Sequence, residues 1–245
     1  MTGEQELPHG TDNPKRRRRA IGRPARKKGV GKEAIVLKTV ELLRALPPEK
    51  LSLTLAAKNA GVHLTLIKYY FVDRTRLLVD VARYLTLELG ERVRASEHDQ
   101  SPPLERLRIR IDAMVDFYFL NPFYHRLMLE IIADEEDALA GELIKVWISK
   151  TLEIYDGIIG AGVGEGILRA VEPRFTYLAI MGLCEQFHLG VRLFERADIG
   201  PPETTEQSAA KYKKFLYDLV FYGIATPAAD DKARTKLAFL EHSQR

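Results

Sequence analysis

The chain has 245 residues and one cysteine, Cys184. A lone cysteine makes no intramolecular disulfide, which excludes a disulfide-stapled scaffold and fits a reducing compartment. No apolar run reaches the roughly 18 residues that a membrane-spanning helix needs. The basic N-terminus has no apolar stretch behind it, as a secretory signal would require. Convincing alternation of apolar and polar residues, the mark of half-buried strands, is also missing. These absences predict a soluble, cytoplasmic, all-α chain with no membrane partner. Five glycines crowd GIIGAGVGEG, residues 157–166, but those at 160, 162, 164 and 166 miss the G-x-G-x-x-G spacing because Glu165 stands where the third glycine belongs. No strand precedes them and no GK[ST] follows, so the segment reads as a flexible link and no nucleotide cofactor is expected. Cys184 and His188 have the i, i+4 spacing of a metal pair, but no third ligand is evident, and no metal is expected.

Hydrophobic residues make up 46% of the chain, enough for a sizeable core. The net charge of +3 conceals an asymmetry. Residues 1–32 carry ten Lys/Arg against three Asp/Glu, residues 33–80 seven against five, and residues 81–245 twenty against twenty-six. A basic head on an acidic body points the head at a polyanion. Residues 1–31, with PKRRRRAIGRPARKKG at 14–29, repel themselves and are expected to form a disordered basic arm.

From Lys32 onward the pattern is helical. Ile35, Val36, Val40, Leu43 and Leu46 share a face, and Pro47-Pro48 ends the run. Ser52 is placed to cap a short second helix, TLAAKNA. Gly61 ends it in a tight turn, and LTLIKYYF makes a short third helix. Asp73 is placed to cap a long fourth helix in which Leu77, Leu78, Val81, Tyr84, Leu85 and Val93 recur at helical spacing. Further helices are expected over 103–119, 122–133, 136–159, 173–195 and 206–224, with prolines at the breaks.

Two short helices joined by a glycine turn and packed on a longer first helix make a helix-turn-helix, whose second helix enters the DNA major groove. This accounts for the crowding in AGVHLTLIKYYFVDR. Lys68 supplies a cation, Tyr69 and Tyr70 carry hydroxyls on stiff stems, and Arg74 at the next helix start is placed to hold a phosphate. The residues expected to face DNA in the head are Ser52, Thr54, His63, Leu64, Thr65, Lys68, Tyr69, Tyr70 and Arg74. In the arm, Arg23 within Gly22-Arg23-Pro24 suits an A·T-rich minor groove, while Arg16, Arg17, Arg18, Arg19, Lys27 and Lys28 suit phosphates.

Residues 51–78, LSLTLAAKNAGVHLTLIKYYFVDRTRLL, resemble the DNA-binding signature of the TetR family of transcriptional regulators. Ser52, Ala57, Ala60-Gly61-Val62, Ile67, Tyr70-Phe71, Asp73-Arg74 and Leu77 carry the likeness, and EGILRAVEP (165–173) resembles the link before the dimerisation helices of some members. His63 departs from the pattern, standing where the family usually has a capping Ser or Thr. The resemblance implies a homodimer with a DNA-binding head at 32–80, a ligand-binding and dimerisation body at 81–245, a palindromic operator, and a small-molecule effector that releases the DNA. It implies a repressor; no nucleophile–base pairing, metal spacing or phosphate loop supports an enzyme.

Within the body, Tyr118, Tyr124, Met128, Trp147, Tyr177, Cys184 and His188 are the expected pocket residues. FLYDLVFYGIA is apolar around nearly its whole circumference, so it needs cover on several sides, and a four-helix interface between two subunits supplies that cover. Two competing classes remain: a non-specific architectural DNA binder without a ligand, and a helical enzyme with a basic tail. A specificity ratio over random DNA discriminates the first, and turnover of a metabolite the second.

Overall fold

The computed structural model describes residues 31–96, 101–133, 138–200 and 205–226. Among these the elements are α1 (Lys32–Leu43), a 3-10 turn (Pro48–Lys50), α2 (Leu53–Ala60), α3 (Leu64–Tyr70), α4 (Arg74–Ser96), α5 (Pro103–Leu120), α6 (Tyr124–Ala133), α7 (Ala138–Gly164), α8 (Pro173–Ala197) and α9 (Thr205–Ile224). No strand forms among the described residues beyond one isolated bridge, Leu168 to Ala225, so the fold is all-α as expected. The basic arm lies outside the described residues.

Local chemistry sets the boundaries of the head. α1 buries Ile35, Val36, Val40 and Leu43 against α2 and α4. It stops at Leu43, one turn before Pro47, and leaves Leu46 half-buried in the turn that follows. The Ser52 side chain accepts a hydrogen bond from the Leu55 N–H at 3.1 Å and starts α2. Gly61 ends it with φ +66, a left-handed conformation that costs glycine no Cβ clash. The Val62 N–H then closes onto the Ala57 carbonyl at 3.0 Å. Asp73 caps the start of α4 by accepting from the Arg76 N–H at 2.8 Å. Lys32 pairs with Asp80 at 2.6 Å and fastens the start of α1 to the second turn of α4.

α5 is the centre of the body. It buries Leu107, Ile111, Met114, Val115, Phe117 and Tyr118, and packs against α4, α7, α8 and α9. Phe117, Tyr118 and Tyr124 meet edge-to-face, with Phe117 and Tyr124 centroids 4.7 Å apart. Such geometry suits the ring quadrupole.

The glycine-rich segment corrects an expectation. Residues 157–164 are not a flexible link; α7 runs through them to Gly164. A glycine inside a helix costs about 0.5–1 kcal/mol relative to alanine, and here packing outweighs it. Gly162 is the point of closest approach: a Cβ there would lie 2.4 Å from Leu168 Cδ1. The Gly162 carbonyl also accepts from the N–H groups of Ile167 (2.9 Å) and Leu168 (3.0 Å). The link at 165–172 is then pinned to the end of α9, where Arg169 N–H donates to Ile224 O at 2.7 Å and Thr226 N–H donates to Ile167 O at 3.0 Å.

Candidate nucleic-acid interface and ligand cavity

α3 divides into two faces. Ile67 and the following Phe71 are fully buried and seat the helix on the head core. Thr65, Lys68 and Tyr69 recur at i, i+3, i+4 on the opposite side, and Tyr69 is 79% exposed. Its ring is left in water on the face turned away from the head core. Tyr69 and Tyr70 brace one another edge-to-face at 5.1 Å, with Tyr70 half-buried. Leu64 is half-buried, and Thr54 is exposed in the first turn of α2.

His63 performs the task of the missing Ser or Thr. Its Nδ1 accepts from the Thr65 backbone N–H at 3.3 Å and lies 2.8 Å from the Thr65 hydroxyl. Nδ1 must therefore carry the lone pair, which leaves the proton on Nε2. Ser52 and His63 thus serve as helix caps, and their reach toward DNA is limited accordingly.

Arg74 is placed differently from expectation. Its Nε–H donates to Leu51 O at 2.9 Å, and its terminal nitrogen donates to Pro48 O at 2.6 Å and to the Glu130 carboxylate of α6. Three of the five N–H donors of this guanidinium are thus engaged inside the protein, and its side chain is one-third exposed. Arg74 joins the head to α6. Glu49 and Arg126 reinforce the joint at 2.7 Å from the 3-10 turn. Arg16, Arg17, Arg18, Arg19, Arg23, Lys27 and Lys28 lie outside the described residues.

The body encloses a cavity of about 340 Å³ between α4, α5 and α7, with contributions from α6 and α8. Of the seven residues assigned to a pocket from sequence, Tyr118, Tyr124, Trp147 and Tyr177 line it. Met128 and Cys184 do not. Both are buried in the packing around it, because their helix faces point into the core. The His188 side chain lies outside the described residues.

Sequence reasoning missed most of the wall. Arg83, Thr86, Leu87, Gly90 and Arg94 form a stripe of α4; Arg110, Met114 and Phe117 come from α5; Val146, Lys150, Thr151, Ile154 and Tyr155 come from α7. The signal was present as i, i+3, i+4, i+7 stripes. Nothing local distinguishes a stripe facing a cavity from one facing a core.

Burial governs the chemistry of this wall. It holds the phenols of Tyr118, Tyr124 and Tyr155 well above the usual tyrosine range, and pushes Tyr177 up to about 12. Arg110 partly offsets burial at Tyr155. The phenols are therefore protonated donors at neutral pH. Tyr124 lies 3.0 Å from the Thr86 hydroxyl, whereas the Tyr177 hydroxyl has no hydrogen-bond partner among the described residues. Among the described residues no group of three or more His, Cys, Asp and Glu could hold a metal ion.

A third feature lies on α8 and α9. Phe175, Leu178, Leu189, Leu193 and Phe194 on α8, with Phe215, Leu219 and Tyr222 on α9, are between 49% and 66% exposed. A groove of about 460 Å³ runs between the two helices past Phe175, Ala179, Leu183 and Leu219. On α9 only Leu216 and Phe221 of the FLYDLVFYGIA run are fully covered within one chain.

A two-helix unit that presents its second helix to solvent, joined to a helical body, defines a DNA-binding protein of the helix-turn-helix class. Residues 99–230 match the family described as tetracyclin repressor-like, C-terminal domain. The chain belongs to the TetR family of transcriptional regulators. No curated protein sequence matches it. Solved structures share the fold. A TetR-family protein from Vibrio parahaemolyticus is 18% identical, with a TM-score of 0.57 over 79% of this chain and 98% of its own. A ketosteroid transcriptional regulator of Mycobacterium tuberculosis is 15% identical, with a TM-score of 0.58 over 80% and 95%. A regulator from Saccharomonospora viridis in complex with choline is 15% identical, with a TM-score of 0.60 over 80% and 97%. No described helix is long and apolar enough to cross a membrane.

Proposed function

We propose that this protein is a repressor that binds a palindromic operator as a homodimer and releases it when a small molecule enters the cavity of the body. The carrying observation is the exposed stripe of Thr65, Lys68 and Tyr69 on a helix anchored by Ile67 and Phe71. Lys68 and Tyr69 contact the phosphates and groove edge, Thr65 and Leu64 approach the bases, and Thr54 meets a flanking phosphate. The arm adds phosphate contacts through Arg16 to Arg19, Lys27 and Lys28, with Arg23 in an A·T-rich minor groove. The domain division follows: the head spans 32–80 and the body 81–245.

The uncovered apolar face of α8 and α9 supports dimerisation, since a contiguous patch of this kind marks an interface. The cavity supports ligand binding, and a regulator of the same fold holds choline. α6 supports the coupling: it presents Tyr124 to the cavity and Glu130 to Arg74 at the foot of the head. A ligand that prefers one placement of α6 shifts the equilibrium between head spacings, by no more than its differential affinity for the two.

The test is fluorescence anisotropy with the DNA upstream of this protein's own gene against a shuffled duplex, over a salt series. Preference for the upstream DNA by about 10³-fold or more supports a sequence-specific regulator. Equal, steeply salt-dependent binding to both would favour the architectural class.

A further inference from the structure

We propose that the cavity selects an anionic amphiphile, whose apolar part lies among Phe117, Trp147 and Ile154 and whose carboxylate or phosphate meets the cations of the wall; this rests on reading the cavity as a ligand site. The charge of the lining is one-sided. Arg83, Arg94, Arg110 and Lys150 face the cavity, and no Asp or Glu among the described residues does. Arg83 is shared with Asp80, which also takes Lys32. Arg94 and Lys150 form no ion pair with any described residue, and both are exposed at the edge of the wall. Arg94 folds back along its own helix: a Cβ on cavity-lining Gly90 would lie 3.5 Å from its guanidinium. That brings the charge onto the wall.

Apart from Thr86 and Thr151, the rest of the lining is apolar and aromatic. A largely apolar slot edged by Arg94 and Lys150, neither paired with a described carboxylate, disfavours a cationic ligand and gives a neutral one no charge to meet. An anion satisfies them, and the partly enclosed site strengthens the attraction relative to water. Tyr177 adds an independent indication. Its hydroxyl is buried on the wall, its residue only 4% exposed, and it has no hydrogen-bond partner among the described residues. With its pKa pushed up to about 12 it stays a donor at neutral pH. A buried donor without a partner costs stability until an acceptor arrives, and a carboxylate or phosphate oxygen, or a carbonyl beside it, is such an acceptor. At about 340 Å³ the cavity is at the small end for ligand sites, so a medium-length chain suits it.

Trp147 is the only tryptophan in the chain and lies on the wall, its ring centroid 6.2 Å from that of Tyr124. Its emission therefore reports directly on the cavity. The full-length protein is titrated with octanoate, octyl phosphate, octanol and octyltrimethylammonium, all below micelle formation. The expected result is a saturable change in Trp147 emission, with at least one of the two anions binding about 10-fold or more tighter than octanol and tighter still than the cation. Octanoate and octyl phosphate differ only in the head group, so their ranking identifies which anion is preferred. Arg94→Gln with Lys150→Gln, both at exposed helix positions, should shrink the preference over octanol to about threefold or less. Lys150→Gln alone serves if the double variant fails to fold, with a smaller loss expected. Octanol binding as tightly as either anion would overturn charge selection and leave the ligand site standing. Tightest binding by octyltrimethylammonium would do the same. No emission change with any of the four, in protein that still binds operator, would overturn both the inference and the ligand site.

Discussion

Arg74 and Glu130 join the first residue of α4 to α6 by an ion pair, with side chains 33% and 21% exposed. The same guanidinium holds the carbonyls of Pro48 and Leu51. A single side chain thus ties the turn before α2, the start of α4 and the helix that carries Tyr124. Removing Glu130 leaves Arg74 with two neutral acceptors, while removing Arg74 strands a carboxylate and two carbonyls. Glu130→Ala should lower unfolding stability by about 1–3 kcal/mol, and Arg74→Ala by more. Urea unfolding measures both, and an Arg74→Ala loss no larger than that of Glu130→Ala would contradict the shared role. In the regulator proposed here, either change should also weaken the coupling between ligand and operator.

The His63 cap makes a separable prediction. His63→Ser keeps an acceptor for the Thr65 N–H and should leave thermal stability nearly unchanged. His63→Ala should cost about 0.5–2 kcal/mol. Equal stability of all three proteins would mean that the Nδ1 contact contributes nothing.

On the exposed face of α3, Lys68→Ala and Tyr69→Ala should leave the melting temperature within error, because Lys68 is exposed and Tyr69 is 79% exposed. Both should weaken operator binding, and Lys68→Ala should reduce the salt slope by about one. Wild-type affinity in both variants would remove α3 from the interface.

Gly160 and Gly162 belong to the same helix and should respond in opposite directions. Nothing lies within 4 Å of a Cβ at Gly160, so Gly160→Ala should stabilise by about 0.5–1 kcal/mol. Gly162→Ala drives a methyl into Leu168 and should cost about 1–3 kcal/mol. Leu168→Ala in the Gly162→Ala background should recover part of that loss, read as a coupling energy in a double-mutant cycle. Stabilisation by both alanines would show that the close approach is absent in solution.

Alkaline pH provides a further check. Burial pushes the Cys184 thiol from an ordinary value near 9.0 up to about 12, and Tyr177 from 10.0 to about 12. The folded protein holds these protons more tightly than the unfolded chain does. Their stabilising contribution is complete below about pH 9 and is lost as the pH rises toward 12. The urea midpoint should fall steadily above pH 9, and Cys184→Ala should flatten the lower part of that slope. The same burial leaves almost no thiolate at pH 8, so a thiol-alkylating reagent should modify Cys184 only on unfolding. Rapid alkylation of the native protein would contradict the buried position.

The sequence by itself determined which segments are helices and where the head turns. Ser52, Gly61 and Asp73 act within a few residues of themselves, through caps and one left-handed turn, and apolar periodicity marks a helix whatever it packs against. The departure at His63 was visible too, although its recovery as a cap needed the distance to Thr65. Only the tertiary structure decided what each helix face meets. Arg74 follows the pattern of a helix-start phosphate ligand, and only the fold sets Glu130, 56 residues away, beside it. Arg94, Arg110 and Lys150 look like ordinary solvated cations until α4, α5 and α7 converge around one cavity. Met128 and Cys184 share the composition of pocket residues yet face the core. The glycines at 157–164 carry weak intrinsic preferences, and packing by Leu168 and the end of α9 overrode them. Local preference is written into a few neighbouring residues, whereas burial and charge pairing depend on distant residues brought together by folding.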